Sequence, residues 1–308
     1  MLKNSVLECI GDTDLVELKN IEKEFNLTYK LYAKLERENP SGSIKDRAAL
    51  YIINDGLKNG TINKDTVIIE ATSGNTGISL AMIGARLNLK VIIIMPENAS
   101  KERRLMMQAF GAEVILTKKE LGMQGAVDKA NELKKLNPNS IIADQFNNTS
   151  NINAHYYGTS KEILNDLNGK LDVFIAAFGT SGTLIGNGKA FKEYDKNIEV
   201  IGVEPKNSSL VLTGKAGPHK IQGIGANFLP SLYDSEYVDK VISISDEDSY
   251  LGARLLARKE GLLCGISSGC NLMAAINLDK KAYANKIVVT VLPDNGERYL
   301  SVDGLYDW

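Results

Sequence analysis

The residues of this chain best suited to chemistry are one lysine and two short loops rich in glycine and threonine. Lys45 lies in a Gly/Ser-rich turn, residues 39–47. The loops are residues 72–77, Thr-Ser-Gly-Asn-Thr-Gly, and residues 179–183, Gly-Thr-Ser-Gly-Thr. A lysine amine acts as a nucleophile where its charged form is disfavoured and a carbonyl group is held beside it, most simply that of a bound aldehyde cofactor. The pattern therefore indicates one reactive amine and two anion-binding loops.

Each loop follows an apolar run and precedes a helical pattern, so we expect it to join the end of a strand to the start of a helix. Free backbone N–H groups and the positive end of the helix dipole meet there and favour an anion. Glycine lets the backbone approach the ligand, and the Ser and Thr hydroxyls add hydrogen-bond donors. One such loop alone is most often an ordinary connection between a strand and a helix and does not identify a ligand. Two loops with an upstream lysine make pyridoxal phosphate the obvious candidate ligand.

Short runs rich in valine and isoleucine alternate with amphipathic stretches along the chain. The runs are residues 31–35, 66–70, 90–95, 113–116, 172–178, 199–203, 240–244 and 286–292. Apolar residues recur at helical spacing in residues 45–57, 75–87, 100–110, 124–136 and 246–259. Continuous apolar strands alternating with helices predict parallel sheets covered on both faces. The fold class is therefore predicted as α/β with doubly wound architecture.

The chain has 308 residues, of which 44% are hydrophobic, and this length suits two domains. Asparagine is dense near residues 144–153, where the strand pattern pauses, so a domain crossing is expected there. The strand at 31–35 precedes the lysine turn and can pack with the later domain. We therefore predict a smaller domain at 40–146 and a larger one made of 1–39 plus 147–308.

Charge and composition argue against several classes of partner. The chain has 36 basic and 38 acidic residues, a formal charge of -2 and no apolar stretch near the roughly 20 residues that a membrane span needs. We therefore expect a cytoplasmic protein that binds neither nucleic acid nor membrane. The spacing of Cys9, Cys264 and Cys270 suits neither a disulfide framework nor a zinc site. With only His155 and His219 available, no metal site is expected, and Cys270 is interpreted as a buried structural thiol.

Further motifs occur in order along the chain, and together with the lysine turn and the two loops they carry a family resemblance. They are residues 95–97, 102–104, 203–205, 223–226, 265–269 and 292–298. Over essentially its whole length the sequence resembles the fold-type II pyridoxal phosphate enzymes, specifically the cysteine synthase and cystathionine β-synthase family. The resemblance implies two doubly wound domains with mostly parallel sheets, the tryptophan synthase β-like fold, with the cofactor in the cleft between them. It also implies that domain 40–146 closes on substrate and that the larger domain binds the cofactor phosphate.

The resemblance assigns roles to individual residues that contact the cofactor. Lys45 would form the Schiff base and serve as general base, and Asn75 would bind the phenolic oxygen. Ser267 would face the pyridine nitrogen. Five residues would surround the phosphate, with Ser181 standing where relatives usually have glycine: Gly179, Thr180, Ser181, Gly182 and Thr183. The substrate-binding set would be Thr72, Ser73, Gly74, Thr76, Gln145, Gly223 and Asn227, of which Thr72, Ser73, Thr76 and Gln145 would hold the α-carboxylate.

A neutral serine hydroxyl at the pyridine nitrogen cannot stabilise a protonated ring as a carboxylate does. Within the resemblance, Ser267 therefore favours loss of a leaving group from Cβ to give an enzyme-bound aminoacrylate. A second nucleophile then adds to it, which is β-replacement, or water releases pyruvate and ammonia. The resemblance to cysteine synthases and cystathionine β-synthases implies that this chemistry serves sulfur amino-acid metabolism.

The substrate stays open among the reactions of the family. Asn227 replaces a glycine common in cysteine synthases, and segments 153–156 and 260–265 look closer to cystathionine β-synthases, whereas 218–223 reads like cysteine synthase. We predict L-cysteine as donor, with hydrogen sulfide release and a lanthionine-type thioether as product, on the hypothesis that Asn227 helps to admit an amino-acid thiol. The alternatives are O-acetylserine sulfhydrylase, a cystathionine β-synthase-like enzyme, a cysteine desulfhydrase, and a non-catalytic amino-acid-binding module. The resemblance also implies a homodimer and a possible serine acetyltransferase partner.

Overall fold

The structure is a computed structural model that describes residues 2–306. The chain forms two compact units. The smaller unit contains the residues up to Ile10 and Lys45–Asn151, and the larger contains Gly11–Ile44 and the residues from Ile152 onward. The sequence placed residues 1–39 in the larger domain, but Leu7 and Ile10 pack against the apolar core of the smaller unit. This packing is the physical reason why the first residues belong to the smaller unit.

Strands and helices alternate through residues 2–306. The strands are β1 (Leu15–Glu17), β2 (Lys30–Lys34), β3 (Val67–Ala71), β4 (Lys90–Pro96), β5 (Glu113–Thr117), β6 (Ser140–Ile142), β7 (Val173–Ala177), β8 (Glu199–Pro205), β9 (Lys240–Ile244) and β10 (Ile287–Val291). The helices are α1 (Lys19–Glu24), α2 (Lys45–Asn59), α3 (Asn75–Leu87), α4 (Lys101–Ala109), α5 (Gly122–Leu136), α6 (Ser150–Ala154), α7 (Ser160–Asp166), α8 (Gly182–Tyr194), α9 (Leu210–Thr213), α10 (Asp246–Leu255) and α11 (Ile266–Ile276). A π-helical turn, His155–Thr159, joins α6 to α7, and another, Leu256–Glu260, follows α10.

The smaller unit is built on a four-stranded parallel sheet in the order β5-β4-β3-β6. Alternate residues of its strands enter different apolar clusters. Ile68 and Ile93 belong to one cluster, whereas Ile69 and Ile92 belong to another together with Ala126 of α5. Because side chains alternate between the two faces of a strand, both faces of this sheet are covered. This explains why the strands read as continuous apolar runs.

The larger unit is built on a six-stranded sheet in the order β1-β2-β10-β7-β8-β9. Only the pairing of β1 with β2 is antiparallel among the strand pairs of the described residues, and the other pairs are parallel. The predicted class, two doubly wound α/β units with mostly parallel sheets, is confirmed. Within residues 2–306 no helix combines the length and apolarity needed to cross a membrane.

Helix α11 is buried along its whole length and fixes the central strands of the larger sheet. The amide of Asn271 accepts a hydrogen bond from the backbone N–H of Ala177 (2.7 Å) and donates one to the carbonyl of Val291 (2.7 Å). Helix α10 packs on α11 with backbone against backbone. A Cβ atom placed on Gly252 would lie 2.2 Å from the carbonyl oxygen of Gly269, so only glycine permits this approach.

We expect Gly252→Ala to destabilise the protein by about 1–3 kcal/mol, because the added methyl group overpacks a helix contact that cannot open without moving backbone. Chemical denaturation of the wild type and the variant measures the difference. A Gly→Ala change in an open helix instead stabilises by about 0.4–1 kcal/mol, so a stabilised variant would contradict the backbone contact.

Candidate active site

Lys45 and Asn75 are the first residues of two helices that a buried hydrogen bond holds together in the smaller unit. Lys45 begins α2 and is partly buried, and Asn75 begins α3. The hydroxyl of Ser79 donates to the carboxylate of Asp46 at 2.5 Å, and its oxygen lies 3.1 Å from the carbonyl oxygen of Asn75. Asp46, beside Lys45, therefore ties the first turn of α2 to the first turn of α3. Sequence reasoning missed Asp46 and Ser79, although an acidic residue next to the predicted lysine was a visible signal.

The loop at residues 72–77 joins β3 to α3, as the sequence predicted. Gly74 precedes the first helical residue and has no side chain to cap the helix, and its N–H group donates to the hydroxyl of Thr72 at 3.2 Å. A Cβ atom on Gly77 would lie 2.6 Å from the methyl group of Met107, so the loop is tightly packed from behind. The N–H groups at the start of α3 thus remain suited to an anionic ligand. Ser73 is partly buried in the same loop.

Two residues assigned to the substrate carboxylate, Thr76 and Gln145, are in direct contact. The hydroxyl of Thr76 donates to the side-chain oxygen of Gln145 at 2.6 Å, and both residues are buried. The side chain of Asn151 also donates to the backbone carbonyl of Gln145 at 2.8 Å. Helix α3 and the segment after β6 therefore bring these two side chains together.

Glu70 is a buried acid that lies beside these residues and that sequence reasoning missed. It follows three apolar residues of β3, and its carboxylate accepts a hydrogen bond from the N–H of Asp144 at 2.9 Å. Burial raises the pKa of Glu70 to about 7, although hydrogen bonds from Asp144 and Gln145 oppose the shift. A glutamate within a Val/Ile run was the signal that could have identified it.

The second loop, residues 179–183, joins β7 to α8 in the larger unit. A Cβ atom on Gly179 would lie 2.6 Å from the carbonyl oxygen of Gly223, and the N–H of Gly225 donates to the carbonyl of Phe178 at 3.2 Å. Gly223, assigned to substrate, thus lies against the backbone of this loop. Ser181 has a φ of +70°, a left-handed conformation that favours glycine, which explains why glycine is usual at this position.

The start of α8 carries donors that a phosphate group could use. The hydroxyl of Ser181 is buried without a hydrogen-bond partner among the described residues, and Gly182 begins the helix directly after it. Thr180 is buried in the same loop. An unpaired buried hydroxyl is costly, so its position at a helix N-terminus fits a bound anion.

His155 is a further buried residue at this loop, and the sequence did not predict its role. Its Nε2 lies 3.2 Å from the hydroxyl of Thr183, and its Nδ1 lies 2.9 Å from the hydroxyl of Thr159. The π-helical turn that begins at His155 packs closely on α8, because a Cβ atom on Gly186 would lie 2.8 Å from the Cβ of His155. A π-helical turn contains one residue more than an α-helical turn. This extra residue helps to place the imidazole of His155 against Thr183.

Ser267 lies in the first turn of α11 and is buried in the larger unit. Gly265, the residue just before the helix, donates a backbone hydrogen bond to the carbonyl of Asp294 at 3.1 Å. This bond fixes the start of the helix. Burial raises the pKa of Cys270, three residues later, to about 12. A thiol in that state is not a nucleophile at neutral pH, in agreement with its interpretation as a structural residue.

Asn227, which was predicted to help to admit an amino-acid thiol, lies at the surface of the larger unit. The side chain is exposed, and its oxygen accepts a hydrogen bond from the hydroxyl of Ser208 at 2.7 Å. Its φ of +61° is the left-handed conformation that glycine adopts freely and that asparagine tolerates better than most residues. Backbone geometry thus accounts for asparagine at a position where the family resemblance leads us to expect glycine.

Comparison with known proteins decides the family. The family model described as "Pyridoxal-phosphate dependent enzyme" matches residues 6–294. The chain belongs to this family. It is 53% identical to cysteine synthase B of Campylobacter jejuni subsp. jejuni over 298 residues, which cover 97% of each chain.

Two solved structures extend the similarity to the fold. Cysteine synthase from Entamoeba histolytica superposes with a TM-score of 0.96 at 42% identity, covering 99% of this chain and 91% of that one. A hydrogen sulfide-producing enzyme from Fusobacterium nucleatum gives a TM-score of 0.92 at 46% identity, covering 97% and 100%. This pyridoxal-phosphate dependent enzyme is therefore of the cysteine synthase family, as the sequence predicted.

The cofactor of the family, pyridoxal phosphate, fits the residues of this chain. The unpaired hydroxyl of Ser181 and the N-terminus of α8 provide neutral donors for a phosphate group. Lys45 would supply the amine that an aldehyde cofactor requires. All of the residue assignments to the cofactor, those of Lys45, Asn75, Ser181 and Ser267 included, stay predictions.

We expect Glu70→Gln to stabilise this enzyme more at pH 8 than at pH 5. The pKa of Glu70 is raised from 4.5 to about 7 on folding, so its favourable contribution is present at low pH and is lost as the pH rises through 7. The relative gain of the variant is at most about 3 kcal/mol. Denaturation at several pH values measures it, with Glu120→Gln, an exposed Glu→Gln change, as control. A pH-independent difference would contradict the raised pKa.

The left-handed conformation of Ser181 can be separated from the role of its hydroxyl with two variants. Ser181→Gly and Ser181→Ala both remove the hydroxyl, but only glycine removes the backbone strain, worth about 1 kcal/mol. We expect both variants to bind pyridoxal phosphate more weakly, as measured by equilibrium dialysis. The glycine variant should have the higher melting temperature in the cofactor-free form. Equal melting temperatures would show that residue 181 is not strained.

Proposed function

We propose that this protein is an O-acetylserine sulfhydrylase, which makes L-cysteine and acetate from O-acetylserine and sulfide. The observation that carries the choice within the family is the state of Asn227, the departure from cysteine synthases on which the L-cysteine prediction relied. Its side chain is exposed, its oxygen is occupied by Ser208, and its backbone is left-handed. A second amino-acid substrate is therefore not needed to explain it. Relatives named cysteine synthase, 42–53% identical over nearly the whole chain, support the same reading.

Pyridoxal phosphate, when bound, supplies the electrophilic carbon and the electron sink of the reaction. In our proposal Lys45 would hold the cofactor until the amine of the amino acid displaces it, and its freed Nζ then removes the proton from Cα. Thr72, Thr76 and Gln145 bind the α-carboxylate, with the helix dipole of α3 adding to the attraction. Acetate leaves from Cβ, HS⁻ adds to the same carbon through its sulfur, and the Nζ of Lys45 returns the proton to Cα.

A second function, sulfide release from L-cysteine with formation of a lanthionine-type thioether, is favoured by one specific observation. The hydrogen sulfide-producing enzyme from Fusobacterium nucleatum is 46% identical and matches the fold over 97% of this chain. In this reading the amide nitrogen of Asn227 remains able to donate to the carboxylate of a thiol substrate. An O-acetylserine dependent cystathionine β-synthase from Helicobacter pylori, 39% identical, defines a third chemistry within the family.

A homodimer, a cytoplasmic location and docking of a serine acetyltransferase complete the proposal. Each rests on the family resemblance. The same resemblance is the basis for assigning substrate closure to the smaller unit and phosphate binding to the larger one. The loops at 72–77 and 179–183, one in each unit, support that division of roles.

We expect the purified, pyridoxal phosphate-loaded protein to form cysteine from O-acetylserine and sulfide at least about tenfold faster, in kcat/KM, than it releases sulfide from L-cysteine, a difference of about 1.4 kcal/mol in transition-state binding. Cysteine and sulfide are measured colorimetrically, and mass spectrometry identifies any thioether. The matched variant Asn227→Gly should leave this ratio within about twofold, because glycine adopts the same backbone conformation. Faster sulfide release by the wild type, lost in Asn227→Gly, would establish the second function instead.

A further inference from the structure

Asp46 and Ser79 form a buried hydrogen bond between the starts of α2 and α3 in the smaller unit. The hydroxyl of Ser79 donates to a carboxylate oxygen of Asp46 at 2.5 Å, and neither residue is exposed to solvent. Asp46 directly follows Lys45, the first residue of α2, and Ser79 lies one turn after Asn75, the first residue of α3. The bond therefore joins the helix that begins with Lys45 to the helix that begins with Asn75.

Farther along the two helices the contact is made by apolar side chains. Ile52 and Ile53 of α2 belong to the same buried cluster as Ile78 and Ile83 of α3. Apolar burial stabilises this contact but has no preferred direction, because it depends on the area removed from water. A hydrogen bond to a carboxylate has a defined length and angle. The polar contact therefore fixes the relative position of the two helix starts more closely than apolar packing alone.

The hydroxyl of Ser79 has one hydrogen and two acceptors within reach. Its oxygen lies 2.5 Å from the carboxylate of Asp46 and 3.1 Å from the carbonyl oxygen of Asn75, four residues earlier in the same helix. An ionised carboxylate only accepts hydrogen bonds and is the stronger acceptor, so the hydrogen points to Asp46. The carbonyl of Asn75 is then left to the backbone of its own helix.

Loss of the carboxylate would reverse this arrangement. The hydroxyl of Ser79 would then donate to the carbonyl of Asn75, and a serine bond to the carbonyl four residues earlier weakens and often bends a helix. The distortion would fall on the first turn of α3, where Asn75 is predicted to bind the phenolic oxygen of the cofactor. Asp46 therefore acts on Lys45 as its neighbour in the chain and on Asn75 through Ser79.

A buried acid is a costly way to join two helices. Burial of a carboxylate carries a desolvation penalty, and well-packed apolar residues often replace buried charged groups without loss of stability. The charged residues next to Asp46 in the first turn of α2 are Lys45 and Arg47. The polar pair is better explained by the geometry that it imposes on Lys45 and Asn75 than by a gain in stability.

We propose that Asp46 and Ser79 are positioning residues for the cofactor, which they serve by fixing the amine of Lys45 relative to the side chain of Asn75. Neither of them touches the reacting atoms in this proposal. The inference rests on the roles predicted for Lys45 and Asn75 within the proposed function. It does not depend on which group leaves from Cβ, so it applies equally to O-acetylserine and to L-cysteine.

The test measures pyridoxal phosphate binding by equilibrium dialysis for a cycle of variants. We expect Asp46→Ala to raise the dissociation constant about tenfold, the effect of losing one charge-assisted hydrogen bond. Ser79→Ala should raise it by about threefold, since the carboxylate stays in place and no hydroxyl turns to Asn75. The double variant should bind more tightly than Asp46→Ala, because the hydroxyl that would distort α3 is gone.

The visible absorption band of the loaded protein provides a second readout. It responds to the polar groups around the cofactor, so it should shift in Asp46→Ala and return toward the wild-type position in the double variant. A merely structural role predicts no such recovery, because a second loss in a packed core adds to the first. Asp46→Asn keeps an oxygen that accepts from Ser79 and should lie between the wild type and Asp46→Ala. This variant keeps the test available if Asp46→Ala does not fold.

A matched control separates positioning from stability. Ile83→Val removes one methyl group from the apolar part of the same helix contact, where Ile83 is fully buried. It should lower the melting temperature at least as much as Ser79→Ala does. The dissociation constant of pyridoxal phosphate in Ile83→Val should stay within about twofold of the wild type, because no hydrogen bond to the helix starts is lost.

Unchanged cofactor binding in both Ser79→Ala and Asp46→Asn would overturn the proposal, as would a double variant that binds more weakly than Asp46→Ala. Equal weakening in Ile83→Val would also overturn it, because the effect would then follow stability. Failure of the proposed function gives a different result. A protein that releases sulfide from L-cysteine faster than it forms cysteine would still recover cofactor binding in the double variant. The two outcomes are therefore distinguishable with the same purified proteins.

Discussion

The parallel arrangement of the strands is the constraint from which the rest of this structure follows. In a parallel sheet each strand returns through a helix, so strand ends and helix N-termini collect at one edge. Residues 72–77 after β3 and 179–183 after β7 lie at such edges, one in each unit. Both loops end in helices whose first N–H groups no residue of the same helix can pair. The architecture thus provides two helix N-termini suited to an anion, and the glycine, serine and threonine residues of the loops fit the same expectation.

The sequence predicted the elements that local pattern determines. The Val/Ile runs became β3, β4 and β8 with bounds within a few residues, and both loops join a strand to a helix as expected. The short strands β1 and β6 were missed, because three residues carry too little periodicity to be recognised. Helix α11 is buried on all sides, so its few polar residues, Ser267, Ser268 and Asn271, do not mark a solvent-facing side from which a helix could be predicted.

The parts of the site that could not be predicted depend on contacts between residues distant in sequence. Thr76 and Gln145 are in contact, as the common role predicted for them requires, but the hydrogen bond from Asp144 to Glu70 joins residues 74 apart in the sequence and leaves no local signature. The exposure of Asn227 likewise depends on a loop path that no periodicity describes. Glu70 and Ser181 both lower the stability of the fold, the first because it is a buried acid and the second because its backbone is left-handed. Both lie beside residues that are assigned to ligands. Residues that cost stability in this way are concentrated at functional sites in proteins generally.

The order of strands in the larger sheet has a consequence for how the chain folds as it is synthesised. Strand β10 lies between β2 and β7, so β2 cannot complete its pairing until nearly the whole chain has been made. The sheet of the smaller unit, by contrast, uses β3 to β6, which are complete by Ile142. The smaller unit can therefore fold on the ribosome before β10 has been synthesised, while the edge of β2 that pairs with β10 is still unpaired. Such an unpaired edge is open to incorrect association, and the chain depends on late, long-range closure to remove it.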